Sequence, residues 1–150
     1  MNDGNVLIGT ESGIKVFNTN DESIRDFKTF FKSKENYFES LYIYSFYLDT
    51  DSCLWVGTRD SGLYIYDIKS DKVIDVSEEL DIKKLNHAVV REMVCDEFGN
   101  FWVATNVGLC CINLEDNSYV FYNHDKKDKK SIPHDDIFDL MLSDDLLYVT

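Results

Sequence analysis

The 150-residue chain carries 28 Asp and Glu residues against 15 Lys and Arg residues, which gives a formal net charge of −13 at pH 7. Such a surface repels phosphate backbones and anionic lipid, so nucleic-acid binding and membrane-surface binding are disfavoured. The 44% hydrophobic content supports a sizeable core. No stretch approaches the ~18 apolar residues of a membrane span, and residues 1–17 lack the basic and then apolar order of a signal peptide.

A repeat of about 47 residues organises the chain. Short apolar runs that end in Thr recur four times, and they end at Thr10, Thr58, Thr105 and Thr150. A glycine followed by an aliphatic residue comes after each of the first three runs, at 13–14, 62–63 and 108–109. Residues before the runs keep the same register, since Ile43, Val90 and Ile137 are also 47 positions apart. So many matches in register indicate a repeat architecture.

Each unit is predicted to form four short strands. These strands cover 42–48, 53–58, 62–68 and 73–76 in the second copy, and 89–95, 100–105, 108–113 and 118–123 in the third. The segments are rich in aromatic and β-branched residues and are separated by Asp, Gly, Asn and Ser. A brief helix is expected in a loop over 77–85, while the aromatic-rich residues 27–46 leave the outer strand of the first copy without clear bounds.

Four antiparallel strands in about 45–50 residues are the size of one propeller blade. The predicted fold is therefore all-β, a partial β-propeller of about three blades. The predicted units are a blade remnant over 1–36, blades over 37–84 and 85–131, and a partial blade over 132–150. Closed propellers have four to eight blades, and open sets leave edges and apolar faces uncovered. We therefore expect a larger working molecule, completed by further blades of a parent protein or by self-association.

The residues that recur in the repeat are expected to be structural. A Trp on the second strand fills the wedge between adjacent blades, with ligand stacking as the alternative. The glycine allows the sharp turn that follows, and the Thr closes the run. The residues concerned are Trp55, Trp102, Gly62, Gly108, Thr58 and Thr105.

Candidate ligand contacts lie in loops at one end of the predicted blades. His87 and His134 are equivalent positions before the innermost strand, and polar residues surround them. The full set is Arg59, Asp60, Asn86, His87, Arg91, His134 and Asp135. A turn role or simple solvation is the alternative for each. Aromatic residues at 37, 38, 42 and 44 offer either a stacking platform for sugar rings or ordinary strand packing.

No catalytic residue, metal or cofactor is expected. The four Cys residues show no metal-binding spacing and are interpreted as buried thiols. Asp49 and Asp96 are interpreted as hairpin-turn residues, because the glycine and distal Glu of a calcium loop are missing. No nucleophile motif appears, and no two carboxylates stand out as a glycosidase pair.

Residues 96–109 (DEFGNFWVATNVGL) and 49–63 (DTDSCLWVGTRDSGL) resemble the two-component-regulator propeller repeat. Residues 85–93 and 132–140 match the opening run of that repeat, while the first and last copies lack its Trp. The resemblance implies the periplasmic sensor domain of a hybrid two-component system histidine kinase, which detects an oligosaccharide and signals to glycan-utilisation genes. The resemblance also implies that this part of the sensor is attached to the membrane only through the rest of the parent protein. The alternatives are a propeller scaffold for protein–protein interaction and a propeller-type glycan lyase or hydrolase domain.

Overall fold

The computed structural model describes residues 4–144 and 146–150. Short strands dominate: β1 Asn5–Thr10, β2 Gly13–Asn18, β3 Ile24–Asp26, β4 Ile43–Leu48, β5 Cys53–Thr58, β6 Leu63–Asp67, β7 Lys72–Asp75, β8 Val90–Cys95, β9 Asn100–Thr105, β10 Gly108–Asn113, β11 Tyr119–Tyr122, β12 Leu140–Ser143 and β13 Leu146–Val149. The helices are α1 Phe27–Phe31, α2 Val76–Glu79 and a single 3-10 turn, Lys83–Leu85. In the described part of the chain, no helix is long and apolar enough to cross a bilayer.

The strands form four antiparallel sheets that follow one another along the chain. The first sheet is β1-β2-β3, the second β4-β5-β6-β7, the third β8-β9-β10-β11 and the fourth β12-β13. Within each sheet, consecutive strands are paired, as in a meander. The predicted all-β class built from propeller blades is confirmed, and each predicted strand of the second and third copies lies within one residue of an observed one.

The first strands of successive sheets lie beside one another: β4 contacts β8, and β8 contacts β12. The approach is close because a glycine of the preceding sheet, in β1 or in β5, faces the first strand of the next sheet. A Cβ atom added to Gly57 of β5 would lie 2.7 Å from Val90 Cγ1, and one added to Gly9 of β1 would lie 3.0 Å from Ile43 O. Glycine therefore allows the next sheet to dock at this position.

Apolar side chains fill the space between neighbouring sheets. The cluster between the second and third sheets includes Trp55, Leu63, Phe101, Val103 and Ile112, while the cluster next to the first sheet includes Ile14, Phe38, Ile43, Leu54 and Tyr66. A smaller group lies between the third and fourth sheets: Ala104, Leu109, Ile137 and Leu140. The core is thus divided into layers between sheets, as expected for stacked blades.

The aromatic-rich stretch after β3 forms α1 and an irregular connection to β4. A five-residue helix does not form alone, so aromatic packing holds it. The Phe27 ring lies 4.9 Å from the Tyr66 ring and 5.0 Å from the Phe38 ring. Asp71 ties the same connection to the second sheet by accepting hydrogen bonds from Ser33 Oγ at 2.7 Å and from Tyr66 Oη at 3.1 Å.

The connection between the second and third sheets contains the brief helical turns predicted for 77–85. Asp75 begins α2, because its Oδ1 accepts a hydrogen bond from the Ser77 amide at 2.9 Å. The connection also buries three apolar side chains in the layer between the two sheets, those of Val76, Ile82 and Leu85. It is therefore part of the core rather than a loose loop.

Candidate ligand-binding face

Two opposite ends of the sheets carry the loops. We call the end where β4, β6, β8 and β10 begin the upper face. It carries the loops 59–62 and 106–107, the connection 123–139, and the ends of two further connections, 38–42 and 86–89. The lower face carries the turns 49–52 and 96–99. Of the residues predicted to contact a ligand, all seven lie at or next to the upper face.

The repeated Thr residues close the upper turns between second and third strands. Thr58 Oγ1 donates to Gly62 O at 2.8 Å and accepts a hydrogen bond from the Ser61 amide at 3.0 Å. Thr105 Oγ1 donates to Gly108 O at 2.6 Å and accepts from the Val107 amide at 3.0 Å. Because both hydroxyls are buried and satisfied, these two residues fix the turns and are not free to contact a ligand.

Gly62 joins its upper turn to the next sheet. Its φ of +78° is in the left-handed region, which favours glycine, and a Cβ atom there would lie 2.3 Å from Leu85 O. Its amide donates to Ala88 O at 3.1 Å. The repeated glycine is thus required both by its own turn and by the close neighbouring backbone.

Asn86 and His87 occupy the two central positions of a turn before β8. The Ala88 amide donates to Leu85 O at 3.1 Å, Asn86 has φ −61° and ψ 120°, and His87 has φ +60°. These are the angles of a type II turn. The His87 Nδ1 atom lies 3.3 Å from Asp60 O. Both side chains are exposed, so the turn leaves them accessible, and ligand contact by them stays a prediction.

Arg59 and Asp60 lie in the upper turn of the second sheet, and both are exposed. The Arg59 guanidinium carbon lies 5.2 Å from the centroid of the Tyr42 ring, a cation–π contact. The Tyr42 ring is in turn 5.2 Å from the Tyr44 ring, in an edge-on arrangement. The turn and the start of β4 therefore form one exposed aromatic and cationic patch.

Arg91 reaches across to the connection that leads to the fourth sheet. Its Nη1 donates to Asp136 Oδ1 at 2.6 Å and to Ile137 O at 2.9 Å. Its guanidinium carbon lies 4.3 Å from the centroid of the Phe138 ring. The side chain is 20% exposed, so part of the guanidinium still faces solvent.

His134 and Asp135 lie in the connection between the third and fourth sheets. Asp135 Oδ1 accepts hydrogen bonds from Asn123 Nδ2 at 2.9 Å and from the His124 amide at 2.7 Å. The Asn123 bond and then the His124 bond lower the pKa of the Asp135 carboxyl. Asp135 thus holds its own connection together. The exposed His134 ring stacks on the His124 ring at 6.1 Å.

Of the aromatic residues considered as a platform, only some are accessible. Phe38 is buried in the core, and Tyr37 uses its hydroxyl to donate to Asp71 O at 3.1 Å. Packing therefore accounts for both residues. Tyr44, by contrast, is 44% exposed at the start of β4.

The pairing between Trp and Asp was not predicted from the sequence. Trp55 Nε1 donates to Asp49 Oδ2 at 3.1 Å, and Trp102 Nε1 donates to Asp96 Oδ2 at 3.0 Å. Asp49 Oδ1 also accepts the amides of Asp51 and Cys53. The hairpin-turn interpretation of both Asp residues therefore agrees with the structure, and the same six-residue spacing from Asp to Trp in both copies was the available signal.

The Trp residues lie on the inter-sheet side of their strands. The Trp55 ring is 4.3 Å from the Phe101 ring of the third sheet, and only 5% of the Trp55 surface is exposed. Trp102 is half-buried and joins the smaller group between the third and fourth sheets. Stacking on a ligand is thus blocked for Trp55, because its ring is enclosed.

The Cys110 thiol lies inside β10, away from the upper face. Burial raises the pKa of the Cys110 thiol to about 12, which keeps it protonated at neutral pH. Within residues 4–144 and 146–150, no three His, Cys, Asp or Glu side chains converge to hold a metal ion. The geometry on this face is that of exposed hydrogen-bonding groups and rings, which suits binding.

Residues 37–60 match the two component regulator propeller family. A comparison with curated protein sequences gives no significant match. Among solved structures, the extracellular domain assigned to the hybrid two component system BT3049 from B. thetaiotaomicron has a TM-score of 0.63 at 19% identity. That alignment covers 93% of this chain and 16% of the other.

Two further structures share the fold. One is the extracellular domain of BT4673 from the same organism, which is described both as a one component and as a hybrid two component system. It has a TM-score of 0.68 at 16% identity, and the alignment covers 94% of this chain and 18% of that one. PorZ, a surface component of the type-IX secretion system of Porphyromonas gingivalis, has a TM-score of 0.67 at 17% identity, with 99% and 23% covered. This chain thus spans less than a quarter of their lengths. The sequence resemblance is confirmed by the match at residues 37–60, and the fold of the chain is that of β-propeller blades.

Proposed function

We propose that this chain is part of the extracytoplasmic, ligand-sensing propeller of a hybrid two-component system histidine kinase. In this proposal the propeller lies in the periplasm, binds an oligosaccharide on its upper face and signals to glycan-utilisation genes through a kinase in the parent protein. The chain itself performs no catalysis.

The observation that carries the proposal is the two component regulator propeller repeat at residues 37–60. It occurs in a chain whose fold is shared by extracellular domains assigned to two-component systems. Propeller architecture alone serves many functions, so the repeat family, rather than the architecture, favours sensing.

The upper face supports ligand binding. It presents exposed donors and acceptors on several separate loops, among them Arg59, Asn86, His87 and His134. Sugar hydroxyls both donate and accept hydrogen bonds, so a mixed set of polar side chains beside exposed rings suits an oligosaccharide.

The partners we propose are further blades of the parent propeller or a second copy of the chain. Exposed apolar side chains lie on β1 and on β13, for example Val6 at 47% and Leu146 at 57%. Apolar edges of this kind are normally covered by another element.

The test is a calorimetric titration of the full-length protein, as cells produce it, with a panel of defined oligosaccharides. We expect saturable binding of one class of oligosaccharide, and a change in autophosphorylation of the kinase when that ligand is added. Breakdown of the bound oligosaccharide into shorter products would contradict the sensing proposal and favour the hydrolase or lyase alternative. The absence of a kinase domain from the full-length protein would contradict it as well.

A further inference from the structure

The first strands of the second, third and fourth sheets share a bulge at one equivalent position. The β4–β5 register shifts between Ile43 and Ser45, and the β8–β9 register shifts between Val90 and Glu92. In the fourth sheet, the amides of Phe138 and Asp139 both point at Thr150 O, at 2.6 and 3.4 Å. Two residues facing one partner are the signature of a β-bulge.

Each bulge contains one extra residue: Tyr44 in the second sheet, Arg91 in the third and Phe138 in the fourth. These residues are 47 positions apart. Bulges re-aim a side chain away from the regular alternation of the strand. The residues just before them are core residues, since Ile43, Val90 and Ile137 are all buried. The bulge therefore places an aromatic or guanidinium group at the surface beside a buried position.

The three bulges are neighbours in space. Ser45, next to Tyr44, donates from its Oγ to Val90 O, next to Arg91, at 3.4 Å. Arg91 then stacks over the Phe138 ring at 4.3 Å. The positions of Tyr44, Arg91 and Phe138 thus follow one another across three adjacent sheets, and we call these three side chains the bulge strip.

The rings of the bulge strip are open to solvent. Tyr44 is 44% exposed and Phe138 is 61% exposed. Tyr44 keeps this exposure although the third sheet is docked beside it, so the position stays open when a following sheet is present. Core packing therefore does not account for these two aromatic residues, and exposed rings beside a few polar groups are typical of ligand sites.

The charges around the bulge strip select the class of ligand. The Arg91 guanidinium is paired with Asp136 at 2.6 Å, so the pair as a whole carries no net charge. Both hydrogen bonds of the guanidinium leave from Nη1, so its Nη2 and Nε groups are the donors left for a ligand. Glu92 and Asp139 follow two of the bulges directly, and the whole chain carries a net charge of −13. An anionic sugar would be repelled by this surface, whereas hydroxyl groups would not.

We propose that the bulge strip is a saccharide-binding site and that its ligand is an uncharged oligosaccharide. The Tyr44 and Phe138 rings support the apolar faces of sugar rings, and Arg91 donates hydrogen bonds to hydroxyl groups between them. This inference rests on the proposed sensing function and deepens it by naming the residues and the class of sugar.

The test compares Phe138→Ala and Tyr44→Ala with a control, Phe98→Ala, in the full-length protein. Phe98 is 72% exposed in the 96–99 turn of the lower face, so its loss removes an equally accessible ring from the opposite end. Calorimetry uses two panels, neutral oligosaccharides and uronate-containing or sulfated ones. We expect binding from the neutral panel only, weakened about tenfold by each strip variant and unchanged by the control.

A second variant protects the test against misfolding. Phe138→Tyr keeps the ring and is expected to bind like the parent protein, with the same melting temperature. Preferential binding of the anionic panel would overturn the inference, and so would unchanged binding of neutral oligosaccharides by both strip variants. In both cases a saccharide still binds, so the sensing proposal survives. Binding from neither panel would instead count against the proposed function itself.

Discussion

The two junctions that follow the complete blades are built differently. Between the second and third sheets, large rings meet, with Trp55 at 4.3 Å and Tyr47 at 5.1 Å from Phe101. Between the third and fourth sheets, the buried residues are smaller aliphatic ones, including Ala104 and Ile137. Dispersion and apolar burial therefore contribute more at the first junction, where two four-stranded sheets meet, than at the second, where the fourth sheet supplies two strands.

The connections across the two junctions differ in the same sense. Residues 76–89 bury apolar side chains in the core, as described above. Residues 123–139 instead form a polar loop in which Ser131 Oγ accepts the Asp125 amide at 2.9 Å and donates to Asp128 O at 2.8 Å. This loop satisfies its own polar groups at the surface, and it contributes to the layer between the sheets only near its end, through Ile132 and Ile137.

Both junctions nevertheless use one equivalent contact, between the second strand of one sheet and the start of the next sheet. Gly57 faces Val90 at the first junction, and Ala104 packs with Ile137 at the second. These residues occupy equivalent positions of the repeat, whereas the two connections differ. The comparison teaches that the repeat, rather than the connection, determines where the next sheet docks.

The most damaging test of this comparison is Phe101→Ala. Phe101 is fully buried at the first junction, so its truncation is expected to cost about 3–5 kcal/mol of unfolding free energy. The matched change at the second junction, Leu147→Ala, removes a half-buried side chain and is expected to cost about 1 kcal/mol. Urea unfolding followed by Trp fluorescence measures both. Equal costs would show that the two junctions are equally important.

A smaller effect is expected from Gly62→Ala, with Gly99→Ala as its control. The two glycines have almost the same φ, +78° and +77°, but a Cβ atom at Gly62 meets Leu85 O while one at Gly99 meets nothing within 4 Å. Left-handed strain alone costs about 1–2 kcal/mol. Gly62→Ala adds overpacking against the next backbone, for a total of about 2–4 kcal/mol. Thermal melting distinguishes them, and identical shifts would mean that the inter-sheet contact is unimportant.

The smallest effect concerns Glu92, which lies in β8 at the weaker junction. Burial raises the pKa of Glu92, and the Asp139 charge adds to this increase. Above the raised pKa, the ionised carboxylate therefore destabilises the folded state relative to the unfolded state. This destabilisation disappears as the pH falls below the ordinary pKa of 4.5, because the group is then protonated in both states.

Glu92→Gln is accordingly expected to raise the melting temperature at pH 7, by at most about 2 °C because the group is half-exposed. At pH 4 the variant and the parent protein are expected to melt together. A stabilisation that is equally large at both pH values would exclude ionisation as its cause. The Asp125→Asn variant, in the neighbouring polar loop, controls for the loss of one negative charge.

The repeat made most of the fold predictable. Register over 47 residues located the strands of both complete blades, because the turn residues and alternating apolar residues recur together. Helix α1 was missed since its five residues have no helical signal of their own, and only tertiary packing of Phe27 against Tyr66 creates it. Local pattern is not informative where distant rings decide the conformation.

The candidate site was less predictable than the fold. The sequence located the upper loops, but it could not show that Arg91 pairs with Asp136 rather than with its neighbour Asp135. It also missed Phe138, although its spacing of 47 from Arg91 was visible. A β-bulge depends on the pairing of two strands, so the sequence of one strand does not reveal which of its residues the bulge turns toward the surface.

The Asp–Trp hydrogen bonds have a consequence for how such a chain grows. Asp49 and Trp55 belong to the same sheet, as do Asp96 and Trp102. A blade therefore orients its own indole ring before any neighbour arrives. Duplication of one 47-residue unit therefore copies a whole sheet together with the oriented Trp side chain that the sheet contributes to its interface. Gene lengthening by whole units thus adds blades without the need to invent new contacts.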